Sequence, residues 1–142
     1  MLNENFKVTG QVTIHKNGKV VRDIPNTIVT AGKNNIASLI TDAGVKMTHM
    51  AVGTGTTSVA AGNTTLETEN DRNALSVSGG APSTNTVVYT GIWAAGDGTA
   101  AITEAGLFSA SSGGTMLART VFSAVNKGSG DVLTITWTVT IS

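Results

Sequence analysis

Two histidines, His15 and His49, are the first places to look for a general base or a metal ligand in this sequence. Each falls at the polar phase of an alternating segment, and neither has a Cys, Asp or Glu at a metal-ligand spacing nearby, so both read as surface imidazoles. Members of a Ser-His-Asp site can lie far apart in a chain, but no nucleophile elbow marks one here. Gly53-Thr54-Gly55-Thr56 looks at first like a phosphate loop, yet it lacks the Lys-Ser/Thr ending and the strand–loop–helix setting that such a loop works in. Its glycines read as permitting a sharp turn and close backbone packing. Glu67, Glu69 and Asp71 stand two apart and could pair as acid and base only across a sugar-binding cleft. With aromatic residues at 4% of the chain, the stacking platforms of such a cleft are mostly missing. These carboxylates read instead as a solvated stretch pairing with Arg72. Trp93 and Trp137 lie inside strongly β segments and read as core. The sequence therefore predicts no catalytic residue, no cofactor and no metal.

Composition points the same way. The chain has 142 residues, enough for one self-sufficient domain over 1–142, and it has no cysteine. A disulfide or a Cys-ligated metal is thereby excluded. Nine basic and nine acidic residues cancel, which disfavours nucleic acid and anionic membranes as partners, since both demand a basic face. Charged residues are only 13% of the chain, against about 25% in an average domain. A surface this weakly charged suits a protein that lives in an assembly. MLNENFKVTG has no apolar stretch after a basic start and predicts no signal peptide. No run approaches the roughly 18 apolar residues of a membrane span.

The elements that must position any site are mostly strands. Phe6, Val8, Val12 and Ile14 alternate with polar residues, Asn17-Gly18 offers a tight turn, and Val20, Val21 and Ile24 return before Pro25 stops the strand. A single short helix is expected over 32–42, capped by Thr30, carrying Ile36, Leu39 and Ile40 as an apolar stripe and ended by Gly44. MTHMAVG at 47–53 reads as a strand, and Ala74, Leu75 and Val77 suggest another before GGAPSTN breaks the chain. Residues 86–93, 101–109, 115–125 and 132–141 read as a four-strand meander with turn-rich links. In the last of these, Leu133, Ile135, Trp137, Val139 and Ile141 face one way and four threonines the other. The pattern predicts an all-β, antiparallel β-sandwich of jelly-roll type with one short helix, preceded by an N-terminal extension at 1–5.

AVGTGTTSVAAGNTTLETE at 51–69, ITEAGLF at 102–108, LARTVFSAVNKG at 117–128 and DVLTITWTVTIS at 131–142 resemble, in order and spacing, a family of small structural proteins of tailed bacteriophages. Such proteins are described as tail-fibre-like or as capsid cement (decoration) proteins. The resemblance implies a virion protein assembled in the host cytoplasm that acts by binding, not catalysis. The chain shows no repetitive shaft and no receptor-binding tip, so the expectation is a cement protein that bridges subunits of the major capsid protein, as a homodimer or homotrimer. A tail-fibre, collar or baseplate component is the alternative, and an enzyme acting on the host envelope is a third class.

Two local expectations follow. In a hairpin around Ser109–Gly114, a symmetric connection sets Glu104 directly opposite Arg119 as a cross-strand ion pair. The long irregular stretch from Gly53 to Arg72, together with the residues before Phe6, is expected to be a mobile contact surface that orders on binding. Its candidate interface residues are Gly53, Thr54, Gly55, Thr56, Glu67, Glu69, Asp71 and Arg72.

Overall fold

The computed structural model describes residues 6–142, so the expected extension at 1–5 lies outside the described residues. The first hairpin forms as expected. β1 (Val8–Lys16) and β2 (Lys19–Pro25) join through Asn17 at φ 52 and Gly18 at φ 80, the paired positive φ angles that a type I′ turn requires. Alternation on β1 buries Val12 and Ile14 completely.

Among the described residues the remaining strands are β3 (Thr27–Ile28), β4 (His49–Gly53), β5 (Glu69–Ala74), β6 (Ala81–Ser83), β7 (Thr86–Trp93), β8 (Ala100–Phe108), β9 (Met116–Lys127) and β10 (Leu133–Ile141). They form two antiparallel five-stranded sheets ordered β2-β1-β10-β7-β6 and β3-β9-β8-β4-β5. The pairs β1/β10, β3/β9 and β4/β8 are nested in the chain, as in a long ribbon wrapped into a jelly-roll-like sandwich. The fold is thus the all-β sandwich that the sequence predicts. Between the sheets lie Trp93 and Trp137, both fully buried, with Met50, Leu107, Leu133 and Ile135. Thr134, Thr136, Thr138 and Thr140 take the outer face of β10, where Thr136 pairs with both Thr13 and Thr90. β-branched residues suit both faces of such a strand.

The helix α1 spans Thr30–Ile40 and so starts earlier than expected. Val29 holds the cap position without a side-chain bond, and the Thr30 N–H donates to the Ala61 carbonyl at 2.8 Å. A loop distant in sequence thus does what the Thr30 hydroxyl was expected to do. Beyond the helix, Asp42 takes the left-handed backbone (φ 60), not Gly44. Gly44 is needed for space, since a Cβ there would come within 2.8 Å of the Asn35 carbonyl oxygen. Buried Asn35 clamps the chain after the helix, donating to the Val45 carbonyl at 2.7 Å and accepting from its N–H at 2.9 Å. Gly32 brings α1 close to β9: a Cβ would meet the Leu117 oxygen at 2.2 Å.

Three strand expectations need correction. The strands over 86–141 are not a meander, because β7 pairs with β10 in one sheet and β8 with β9 in the other. The strand expected near 74–77 runs instead over Glu69–Ala74, and β6 lies inside the expected break. β5 has no apolar alternation because it is an edge strand, held through its backbone to β4.

Candidate protein interface

β8 has no clean in–out alternation: Ile102 to Phe108 is buried throughout, Glu104 included. A strand buried on both faces needs a cover on each. One face of its sheet meets the other sheet. The opposite face is covered by residues 54–68, whose Leu66 packs with Val29, Ala51, Phe108 and Met116 in a second small core.

Glu104 stands at the centre of this cover, fully buried. Its Oε1 accepts from the backbone N–H groups of Gly55 (3.0 Å) and Thr68 (2.8 Å), and its Oε2 from that of Glu67 (3.0 Å). Oε2 also accepts from Arg119 Nε (3.1 Å) and Nη2 (2.8 Å). The Arg119 guanidinium, itself 2% exposed, reaches on to Asn63 Oδ1 at 3.0 Å and the Thr57 carbonyl at 3.2 Å. Thr103 Oγ1 donates to the Gly55 carbonyl at 2.7 Å, and the Thr57 N–H donates to Glu67 Oε2 at 2.8 Å. Hydrogen bonding from Thr57, its side chain first and its N–H second, holds the Glu67 carboxyl below the usual carboxylate range, with nearby Arg119 adding to the effect.

The expected Glu104–Arg119 ion pair is therefore present, but its geometry is corrected on two counts. Arg119 stands opposite Gly106, and Glu104 opposite Val121, because the connection is one residue longer than the symmetric six and the register shifts by one more between Leu107 and Phe108. The contact is diagonal, within reach of a long side chain. It is also buried, where removing one partner strands the other charge.

The stretch from Gly53 to Arg72 is correspondingly not a loose loop. Gly53 and Gly55 are buried in its base, where a Cβ on Gly53 would meet the Thr68 oxygen at 2.3 Å and one on Gly55 would meet Glu104 Oε1 at 2.6 Å. Neither glycine is at positive φ, so close packing and not a turn demands them. Thr54, Thr56, Glu67 and Glu69 face outward. Arg72 is committed internally: its side chain is 8% exposed, forks onto Glu69 at 2.7 and 3.1 Å and bonds the Ala110 and Gly113 carbonyls at 3.0 and 2.9 Å. Its guanidinium stacks 3.8 Å above the Phe108 ring. Asp71 turns toward Asp97. Its buried Oδ2 has no hydrogen-bond partner among the described residues, and burial, reinforced by Asp97, pushes its carboxyl up. Asn73 donates to Asp97 Oδ2 at 2.7 Å and holds that carboxyl down.

Of the eight residues expected at the interface, the structure leaves four exposed, Thr54, Thr56, Glu67 and Glu69. It uses Gly53, Gly55 and Arg72 as scaffold and leaves Asp71 half-buried beside Asp97. The polar supports Thr57, Asn63 and Thr103 were not singled out from the sequence. The available signal was a lone Glu inside the apolar run AITEAGLF.

His15 and His49 are both half-buried, and the His49 Nδ1 lies 2.8 Å from the Thr48 hydroxyl. Among the described residues no three His, Cys, Asp or Glu side chains gather as a metal site. No helix among them is long and apolar enough to cross a membrane. Comparison with protein-family models, curated proteins and solved structures returns no match.

Proposed function

We propose that this protein is a structural component of a tailed-bacteriophage virion, a cement protein that binds the outside of the head and bridges major capsid subunits. The observation that carries the reading is the surface over residues 54–68, backed by the buried Glu104–Arg119 pair. Behind it every support is internal and satisfied; in front it presents Thr54, Thr56, Thr57, Ser58, Ala60, Ala61 and Gly62, all exposed and uncharged. Small side chains let a partner's backbone approach closely. A contact ordered in advance avoids the entropy cost that a loose loop meets on binding. Exposed Glu67 and Glu69 at its edge supply orientation more than affinity.

The family resemblance of the same segments, 51–69, 102–108 and 117–128, gives the reading its assembly. A shell under outward pressure from packed genome is held by clamps across capsomer boundaries. Pairing two or three copies of a small clamp about a symmetry axis multiplies attachment without a larger contact per copy. The work asked of the protein is complementary surface, with no bond made or broken.

Quantitative densitometry of purified virions tests this. A copy number comparable to that of the shell protein is expected. A few copies per particle would overturn the cement role in favour of a tail-fibre, collar or baseplate component. Within the cement reading, the amides of Thr54–Asn63 should exchange more slowly on the virion than in the free protein, and shortening this segment should abolish attachment.

A further inference from the structure

A second surface takes no part in that reading. At one end of the sandwich the inner faces of β1 and β10 run out beyond the core: Val8 pairs with Ile141, and Phe6, in phase with Val8, is 70% exposed. The helix α1 closes this end incompletely. Between it and the strand ends lies a groove of about 310 Å³ lined by Val8, Ile36, Leu39, Val45, Tyr89 and Ile141, among others. Val8 and Ile36 also line a neighbouring hollow of about 450 Å³ that reaches Phe6. Leu39 and Val45 are each 46% exposed, and Ile40, one turn beyond Ile36, is 85% exposed. Apolar side chains gathered this way mark a binding surface more often than a solvent-facing one.

The charges around it indicate what it binds. Arg22, Arg72, Arg119, Lys16 and Lys127 each bond to a carboxylate or a backbone carbonyl elsewhere, and Lys19 stands at the hairpin turn. The three remaining basic residues are Lys7, Lys33 and Lys46. All three line these two hollows, all are exposed, and none forms an ion pair among the described residues. In a chain with no net charge, an apolar groove ringed by unspent cations is locally complementary to one kind of partner.

We propose that this groove docks a short segment of another protein that carries both apolar and acidic side chains. The apolar groups fill the space between Val8, Ile36 and Leu39, and the carboxylates meet Lys7, Lys33 and Lys46. The surface shares no residue with segment 54–68, so the inference stands or falls apart from the cement reading.

The test uses the full-length, isotopically labelled protein and a synthetic peptide alternating leucine and glutamate, followed by amide chemical shifts. Shifts confined to the lining of the two hollows, residues 6–9, 33–40, 45–47, 79, 87–89, 117 and 139–141, are expected. The double variant Lys33→Glu/Lys46→Glu should weaken the peptide by about tenfold or more, because like charges then face each other. Both lysines are exposed, so the variant should melt like the parent, which separates lost binding from lost folding. Alternating serine and glutamate, or leucine and lysine, should bind at least about tenfold more weakly, since each lacks one half of the complementarity. The proposal is overturned if the leucine–glutamate peptide gives no shifts, if they map elsewhere, or if the leucine–lysine peptide binds as well. It is equally overturned if the unliganded chain sediments as a dimer that Leu39→Glu dissociates, since the groove is then occupied by a second copy.

Discussion

Replacing Glu104 with alanine removes the acceptor of five hydrogen bonds in one step: three from the backbone of segment 54–68 and two from Arg119. Arg119, 2% exposed, is left with a buried charge whose nearest carboxylate oxygen is on Glu67 at 3.9 Å. Removing one partner of a buried pair costs about 3–5 kcal/mol. The Gly55, Glu67 and Thr68 N–H groups can regain water only if the segment lifts away. Lifting exposes Leu66, buried to 5%, whose burial contributes about 1.5–3 kcal/mol. The loss is about 3–5 kcal/mol if the segment stays in place and about 4.5–8 kcal/mol if it lifts. For 142 residues at about 2.1 cal/mol/K each, the unfolding entropy is about 0.3 kcal/mol/K, so Tm should fall by about 10–27 °C. Arg119→Ala should cost less, because the Glu104 carboxylate keeps its three backbone donors. Thermal melts of both variants should be paired with hydrogen exchange at Gly55, Glu67 and Thr68, and exchange should quicken there first. If Glu104→Ala melts within about 5 °C of the parent with those amides still protected, the pair does not hold the segment.

Three further outcomes are expected. Trp137→Ala should cost about 3–5 kcal/mol by thermal or denaturant melt, because a fully buried indole leaves a cavity between the sheets; a parent-like melt would mean that β10 is turned over. Gly53→Ala should destabilise more than Gly18→Ala in matched denaturant melts: Gly53 has backbone 2.3 Å from the added carbon, whereas Gly18 has open space and only the strain of φ +80, about 1–2 kcal/mol. Asp71→Asn should raise Tm at neutral pH. The folded protein pushes the Asp71 carboxyl up through burial and Asp97, so its contribution to stability is complete below the ordinary Asp range, near pH 3.9, and is lost as pH rises through the elevated value. The gain should therefore shrink on acidification, and a gain equal at both ends of the range would refute the assignment.

Much of this architecture is written in local pattern. Alternation on β1 and β10, Asn-Gly at the first turn and the turn-rich links of the second half are short-range signals, and side chains of period two can face only one way once one face is buried. They suffice for an antiparallel sandwich with both tryptophans inside. What the chain does not carry locally is a third partner for a strand. Nothing in LETENDR says that β5 is an edge strand, because its side chains take no part in the core and its place comes from backbone pairing with β4. Likewise the helix start depends on the Ala61 carbonyl, which reaches Thr30 only after the intervening chain has folded over. The Glu104–Arg119 pair could be foreseen from spacing across one hairpin, but its burial could not. A charge pair looks the same in sequence on a wet surface or under a loop, and only residues 54–68 folding back over β8 decide between them. That cover also turned an irregular, glycine-rich segment into a fixed surface, since the donors that fix it lie 36 to 49 residues away from their common acceptor.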